Sequence, residues 1–181
     1  MMSILDAAGV AILSDGRRAP DRDNPRGYYE FERVKDLATD HGWLEEAKGR
    51  AVKVIYRLLP LLPASHRYDV LFMEREASEI AASQAAMMRR LASGEAAELD
   101  GESFMRAQSD ELARFDRWLG DQEHLRVQRV NYNGLLEAPV PVLEGVREFL
   151  ALRVDTAVMR RPIDPALYRN RTSNGAREVT T

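Results

Sequence analysis

The sequence predicts an α/β fold of three layers, a parallel sheet flanked by helices. Three observations lead there. Short β-branched apolar runs alternate with amphipathic helical stretches along the 181 residues. The intervals between runs are too long for hairpins, so the strands run parallel with right-handed crossovers. With 45% hydrophobic and 30% charged residues, the chain has material for one core of ordinary size. No internal repeat or linker interrupts it, which makes residues 1–181 a single domain, and residues 172–181 are expected to form a disordered tail.

The elements follow in order. Met1, Ile4, Leu5 and Ala8 lie at helical spacing, and Gly9 offers a left-handed C-cap. No Ser, Thr, Asp or Asn precedes this helix to satisfy its free N–H groups, so the pattern reads as a helix joined part-way along. Asp15 to Tyr29 is polar and rich in Arg, Asp, Pro and Gly, an exposed loop. Glu30 to Ala47 is helical but broken near His41 and Gly42, giving two short helices. Ala51-Val-Lys-Val-Ile-Tyr56 reads as a strand covered on both faces. A second strand, Tyr68-Asp-Val-Leu-Phe-Met73, passes through Glu74 and Arg75 into a helix over residues 76–91. Phe104, Gln108, Leu112, Phe115 and Leu119 mark another helix. A third strand, Leu125 to Asn131, leads through Tyr132 to Leu136 into a helix opened by Pro141, with Val142, Val146, Phe149 and Leu150 as its apolar stripe. Three strands make a thin sheet for so many helices, which implies a strand that is missing or hidden.

Composition narrows the function classes. No run approaches the roughly 18 apolar residues that cross a bilayer, and the start lacks the charged and apolar regions of a secretory leader, so a cytoplasmic protein without a membrane partner is expected. The absence of cysteine excludes disulfides, thiolate zinc sites and cysteine nucleophiles. A formal charge of −3, from 26 basic and 29 acidic side chains, argues against a nucleic-acid partner held mainly by phosphate neutralisation. Lys35, Lys48 and Lys53 are the only lysines among the basic residues.

In a parallel sheet, ligands gather beyond the carboxyl ends of the strands. Arg75 stands there, beside the start of a helix, where a guanidinium can hold phosphate through two parallel hydrogen bonds or can pair with Glu74, Glu76 or Glu79. Ser83 lies eight residues on, about two helical turns along, and its hydroxyl can share the same anion or merely pack. Lys53, a cation within an apolar strand, must face water, find a partner or contact a ligand. His41, His66 and His124 fall between helices or at the amino edge of the sheet, and no His, Asp or Glu grouping has metal-ligand spacing, so no metal is expected. Neither glycine-rich phosphate motif occurs. The loop segment Asn24-Pro-Arg-Gly-Tyr-Tyr-Glu30 can stack on a base or anchor its loop to the core.

Phe72-Met-Glu-Arg75 followed by Ile80-Ala-Ala-Ser-Gln84 resembles the sulfotransferase family, whose members transfer a sulfuryl group from 3′-phosphoadenosine 5′-phosphosulfate. Val130-Asn-Tyr-Asn-Gly-Leu-Leu136, with Pro139 and Phe149-Leu150, is similar to that family's later strand, tyrosine, leucine pair and final helix. Asp15, Asp23 to Glu30 and Asp164 to Arg171 look like features of a bacterial branch. The resemblance implies a P-loop-like fold, binding of the donor's 3′-phosphate by Arg75 and Ser83, Tyr132 near its adenine, and Lys53 as the catalytic cation that stabilises the transferring group to a small-molecule acceptor.

It also has gaps. The likeness begins inside the family's first helix, at Met1-Met-Ser-Ile-Leu5, without the preceding strand and phosphosulfate loop, in keeping with the capless helix and thin sheet. Where the family carries a catalytic histidine, this chain has Tyr56, and Asn133 and Gly134 replace an acidic pair. In-line sulfuryl transfer depends on donors that neutralise the equatorial oxygens, each worth roughly 3 kcal/mol. The expectation is therefore a truncated sulfotransferase with weak or no activity. The alternatives are a non-catalytic nucleotide-binding or interaction module and a plain α/β scaffold. The edge left by the absent strand is expected to favour self-association.

Overall fold

A computed structural model describes residues 1–20, 27–75 and 101–164. The expected helix over residues 76–91 and the tail at 172–181 lie outside them. The elements are α1 (Met2–Ala7), a 3₁₀ helix (Glu32–Asp36), α2 (Leu44–Ala47), a second 3₁₀ helix (Tyr56–Leu61), β1 (Tyr68–Glu74), α3 (Gly101–Gly120), β2 (Leu125–Asn131), α4 (Tyr132–Glu137), α5 (Pro139–Phe149) and α6 (Thr156–Arg160). Helix and strand are mixed, as the sequence implies.

β1 and β2 form a two-stranded parallel sheet in continuous register from Tyr68 opposite Leu125 to Glu74 opposite Asn131. Successive side chains leave opposite faces. Val70, Phe72, Leu125 and Val127 join a cluster with Leu13, Val34, Leu37, Trp43, Leu59 and Phe115. Leu71 and Val130 join a second cluster with Ile4, Leu5, Leu135, Leu143, Val146 and Met159. The first is aromatic and built from the 3₁₀ helices, α2 and α3; the second is aliphatic and built from α1, α4, α5 and α6. Two arginines of β2 tie the ends of the strand pair, one by a bidentate grip and one by bridging two carboxylates. Arg126 holds Asp69 at 2.7 and 2.8 Å, and Arg129 holds both Glu74 and Asp116.

The expected first strand is corrected. Among the described residues, the segment from Ala51 to Ile55 pairs at one residue only, a parallel bridge between Ala51 and Ile12, and Tyr56 already opens a 3₁₀ helix. A strand needs a neighbour for its main chain as well as apolar side chains. Here Val52 and Val54 are half-buried while Lys53 and Ile55 are exposed, so the covering inferred from the apolar run is incomplete. The Ile12 segment is the extended piece that the pattern had not marked. Helix α5 begins at Pro139, two residues before Pro141, because Ala138 already leaves the α4 conformation. α1 has no side-chain cap at Met1, and Gly9 ends it at φ +82, a conformation that glycine adopts without Cβ strain.

Candidate functional site

The carboxyl ends of β1 and β2 lie side by side, since Glu74 is opposite Asn131. The next residue of each chain segment is therefore brought to the same corner. Arg75 follows β1 and Tyr132 opens α4; the guanidinium carbon stands 5.2 Å from the centroid of the Tyr132 ring. A cation over an aromatic face at that range is attracted by the ring quadrupole. Asn131 sets the turn, since its Oδ1 accepts from the Gly134 amide at 2.9 Å and so caps α4. Glu74, one of the three carboxylates that the sequence offers to Arg75, is gripped instead by Arg129. The other two, Glu76 and Glu79, lie outside the described residues, as does Ser83.

Lys53 belongs to a different cluster. Its Nζ donates to the Tyr28 carbonyl and to Glu30 Oε1, both at 3.4 Å. Arg18 reaches the same Glu30 oxygen at 3.4 Å and lies 3.4 Å from the centre of the Tyr28 ring. Burial, and next the charge of Lys53, hold the Met1 amino group below its ordinary value, which puts Lys53 within electrostatic range of the first turn of α1. The tyrosine-rich loop thus supplies a stacking ring, and its observed occupant is Arg18. Sequence reasoning had singled out the loop but not Arg18, whose position ten residues from Tyr28 carries no periodic signal.

Tyr56 is not arranged as a base. Its ring packs edge-on against Phe72 and Phe115. Burial pushes its phenol up, and a hydrogen bond with Glu111 adds to that. Arg57 grips the same carboxylate at 2.5 and 2.6 Å. Arg57, which the sequence places with Tyr56 at the carboxyl end of the expected first strand, and Glu111, which it does not single out, line an open depression of about 270 Å³ with Pro60 and Phe115. The 54-residue separation of the two leaves no local pattern that pairs them.

Among the described residues, no three His, Asp or Glu side chains are grouped to hold a metal ion, and no helix is long and apolar enough to cross a membrane. Comparison with family models, curated proteins and solved structures found no match.

Proposed function

We propose that the chain is a sulfotransferase-like nucleotide-binding protein whose Arg75 and Tyr132 corner takes the 3′-phosphoadenosine half of 3′-phosphoadenosine 5′-phosphosulfate. The observation that carries this reading is the 5.2 Å approach of the Arg75 guanidinium to the Tyr132 ring at the paired strand ends. Such a corner offers a cation for a phosphate and an aromatic face for a base. The two apolar clusters on opposite faces of the strands support a three-layer, P-loop-like architecture around that corner. Ser83 completes the phosphate contact in this reading.

Transfer of the sulfuryl group to a small-molecule acceptor is proposed to be weak or lost in these 181 residues. They contain no glycine-rich phosphate loop. The Tyr56 phenol, raised above its usual value near 10, is a poor general base at neutral pH. Lys53, the proposed catalytic cation, already has Glu30 and the Tyr28 carbonyl as partners. These last two observations favour the second reading, a module that binds the nucleotide without turning it over.

Calorimetry with 3′-phosphoadenosine 5′-phosphate tests the reading. Binding that weakens about tenfold or more in Arg75→Ala, and equally when the ligand lacks its 3′-phosphate, is the expected result. Identical affinity for the two nucleotides would defeat the assignment of Arg75. Sulfuryl transfer by the unaltered chain at an ordinary enzymatic rate would overturn the non-catalytic reading.

A further inference from the structure

Nothing in the nucleotide reading uses His66. It closes a turn just before β1: its amide donates to the Pro63 carbonyl at 3.3 Å, and the Tyr68 hydroxyl donates to the same oxygen at 3.2 Å. The Tyr68 ring lies 6.2 Å from the imidazole, tilted by 35°. Main chain and ring together fix where the imidazole stands. Its Nδ1 is 3.0 Å from the Ser65 hydroxyl, and its Nε2 is 3.0 Å from Glu45 Oε1. Glu45 comes from α2, 21 residues away, and its second oxygen is held by Lys48 Nζ at 2.5 Å.

The partners decide where the protons lie. Lys48 first, and then His66, hold the Glu45 carboxyl below its ordinary value of 4.5, and an ionised carboxylate only accepts. Nε2 therefore carries the hydrogen that Glu45 receives. In the neutral ring this leaves Nδ1 with its lone pair, so the Ser65 hydroxyl donates to it. Hydroxyl, imidazole and carboxylate thus form one chain, in which a base reaches a nucleophile and a third group orients the base. Ser65 is exposed and open to a substrate, whereas the His66 side chain is only 23% exposed. The Ser65 and Arg67 amides make no main-chain hydrogen bond among the described residues, which leaves donors next to the hydroxyl for an oxygen that becomes negative.

We propose that Ser65, His66 and Glu45 form a second site, an esterase centre for small activated carboxylic esters such as aryl acetates. Ser65 Oγ attacks the ester carbonyl carbon and its proton passes to His66 Nδ1, while Glu45 holds the Nε2 hydrogen and stabilises the imidazolium. Collapse of the tetrahedral intermediate breaks the bond to the aryl oxygen, which takes the His66 proton and leaves as the phenol. Water then adds to the acyl carbon and gives a proton to His66; the Ser65 oxygen departs with that proton, and the carboxylic acid is released. Ser65 and His66 are the catalytic residues, and Glu45 is a positioning residue. The ester class follows from the surroundings: on an exposed turn, binding removes little of the barrier, so the leaving group must be a good one. The site lies at the amino end of β1, away from the corner that follows its carboxyl end, and is independent of nucleotide binding there.

The test follows p-nitrophenolate release from p-nitrophenyl acetate by the full chain. Release should fall at least about tenfold in both Ser65→Ala and His66→Gln. A fluorophosphonate probe should label Ser65 of the unaltered chain, as read by peptide mass spectrometry, and that result needs no variant to fold. Glu45→Gln should slow release and disturb the tautomer. At about pH 8, where the ring is neutral, proton–nitrogen correlation NMR should show the His66 hydrogen on Nε2 in the parent and a mixture of both forms in the variant. Release no faster than in buffer, a label on another residue, or an Nδ1 hydrogen in the parent overturns the proposal. So does release that survives Ser65→Ala but is lost in His66→Gln, the result expected if the imidazole itself takes the acyl group.

Discussion

β1 and β2 pair over seven residues, whereas Ala51 to Ile55 meets Ile12 at a single bridge, although both regions are apolar and β-branched. The difference lies in what surrounds the main chain. β2 carries Val130 into the aliphatic cluster beneath α5 and sends Arg126 and Arg129 across to Asp69 and Glu74. The Ala51 segment has Lys53 at its middle and an exposed Ile55, and it runs at once into a 3₁₀ helix containing Pro60. Apolar content brings a segment to the core, but paired peptide groups on at least one side make it a strand.

Hydrogen exchange draws the contrast most sharply. Amides of Val70 and Phe72, which point toward β2, should exchange at least about a hundredfold more slowly than those of Val52 and Val54 in the isolated chain, because only the former must break a ladder bond first. Equal protection in the two segments would show that the Ala51 run is paired and would remove the contrast.

The same substitution in each region gives a smaller but clean difference. Val130 is 1% exposed, and Val130→Ala should cost about 2 kcal/mol through lost burial and a cavity. Val52 is half-buried, and Val52→Ala should cost less than about 1 kcal/mol. Chemical denaturation of both variants measures this; comparable losses would mean that the Val52 side chain is as tightly packed as the core of the sheet.

What was legible in the sequence divides along the same line. Leu125 to Asn131 is a strand over the expected residues, and β1 exceeds its expected end by one residue, since their apolar patterns are matched by a partner. Helix spacing placed α1 and the long α3 correctly, with Phe115 in the core and Leu112 and Leu119 packed against it. The Ala51 run misled because periodicity reports side-chain burial and is silent on whether main-chain partners exist. At the site, Arg75 and Tyr132 were legible as residues following strand ends, since adjacency of those ends makes them neighbours. Lys53 was legible as a cation needing company, but its partners Tyr28 and Glu30 lie 25 and 23 residues away in the loop. Such long-range polar pairings leave no pattern within any local window.

That loop supplies the smallest expected effect and the least dependent on the sheet. Asp15 ties the loop's two ends: its Oδ2 accepts from the Glu32 amide at 2.7 Å and its Oδ1 from the Arg17 amide at 3.0 Å. The Glu32 amide, then that of Arg17, holds the Asp15 carboxyl below its ordinary value of 3.8. A depressed carboxyl pKa stabilises the fold fully above the unfolded value, and the contribution fades as pH falls through the folded one. Asp15→Asn keeps an acceptor but removes the charge. Its stability deficit relative to the parent should be constant above about pH 5 and vanish in strong acid. The background of other carboxylates is common to both proteins and cancels in the difference. A deficit that persists unchanged at about pH 2 would mean that Asp15 acts through shape alone, and the loop beside Lys53 would then owe its position to the stacking of Arg18 on Tyr28 rather than to the carboxylate.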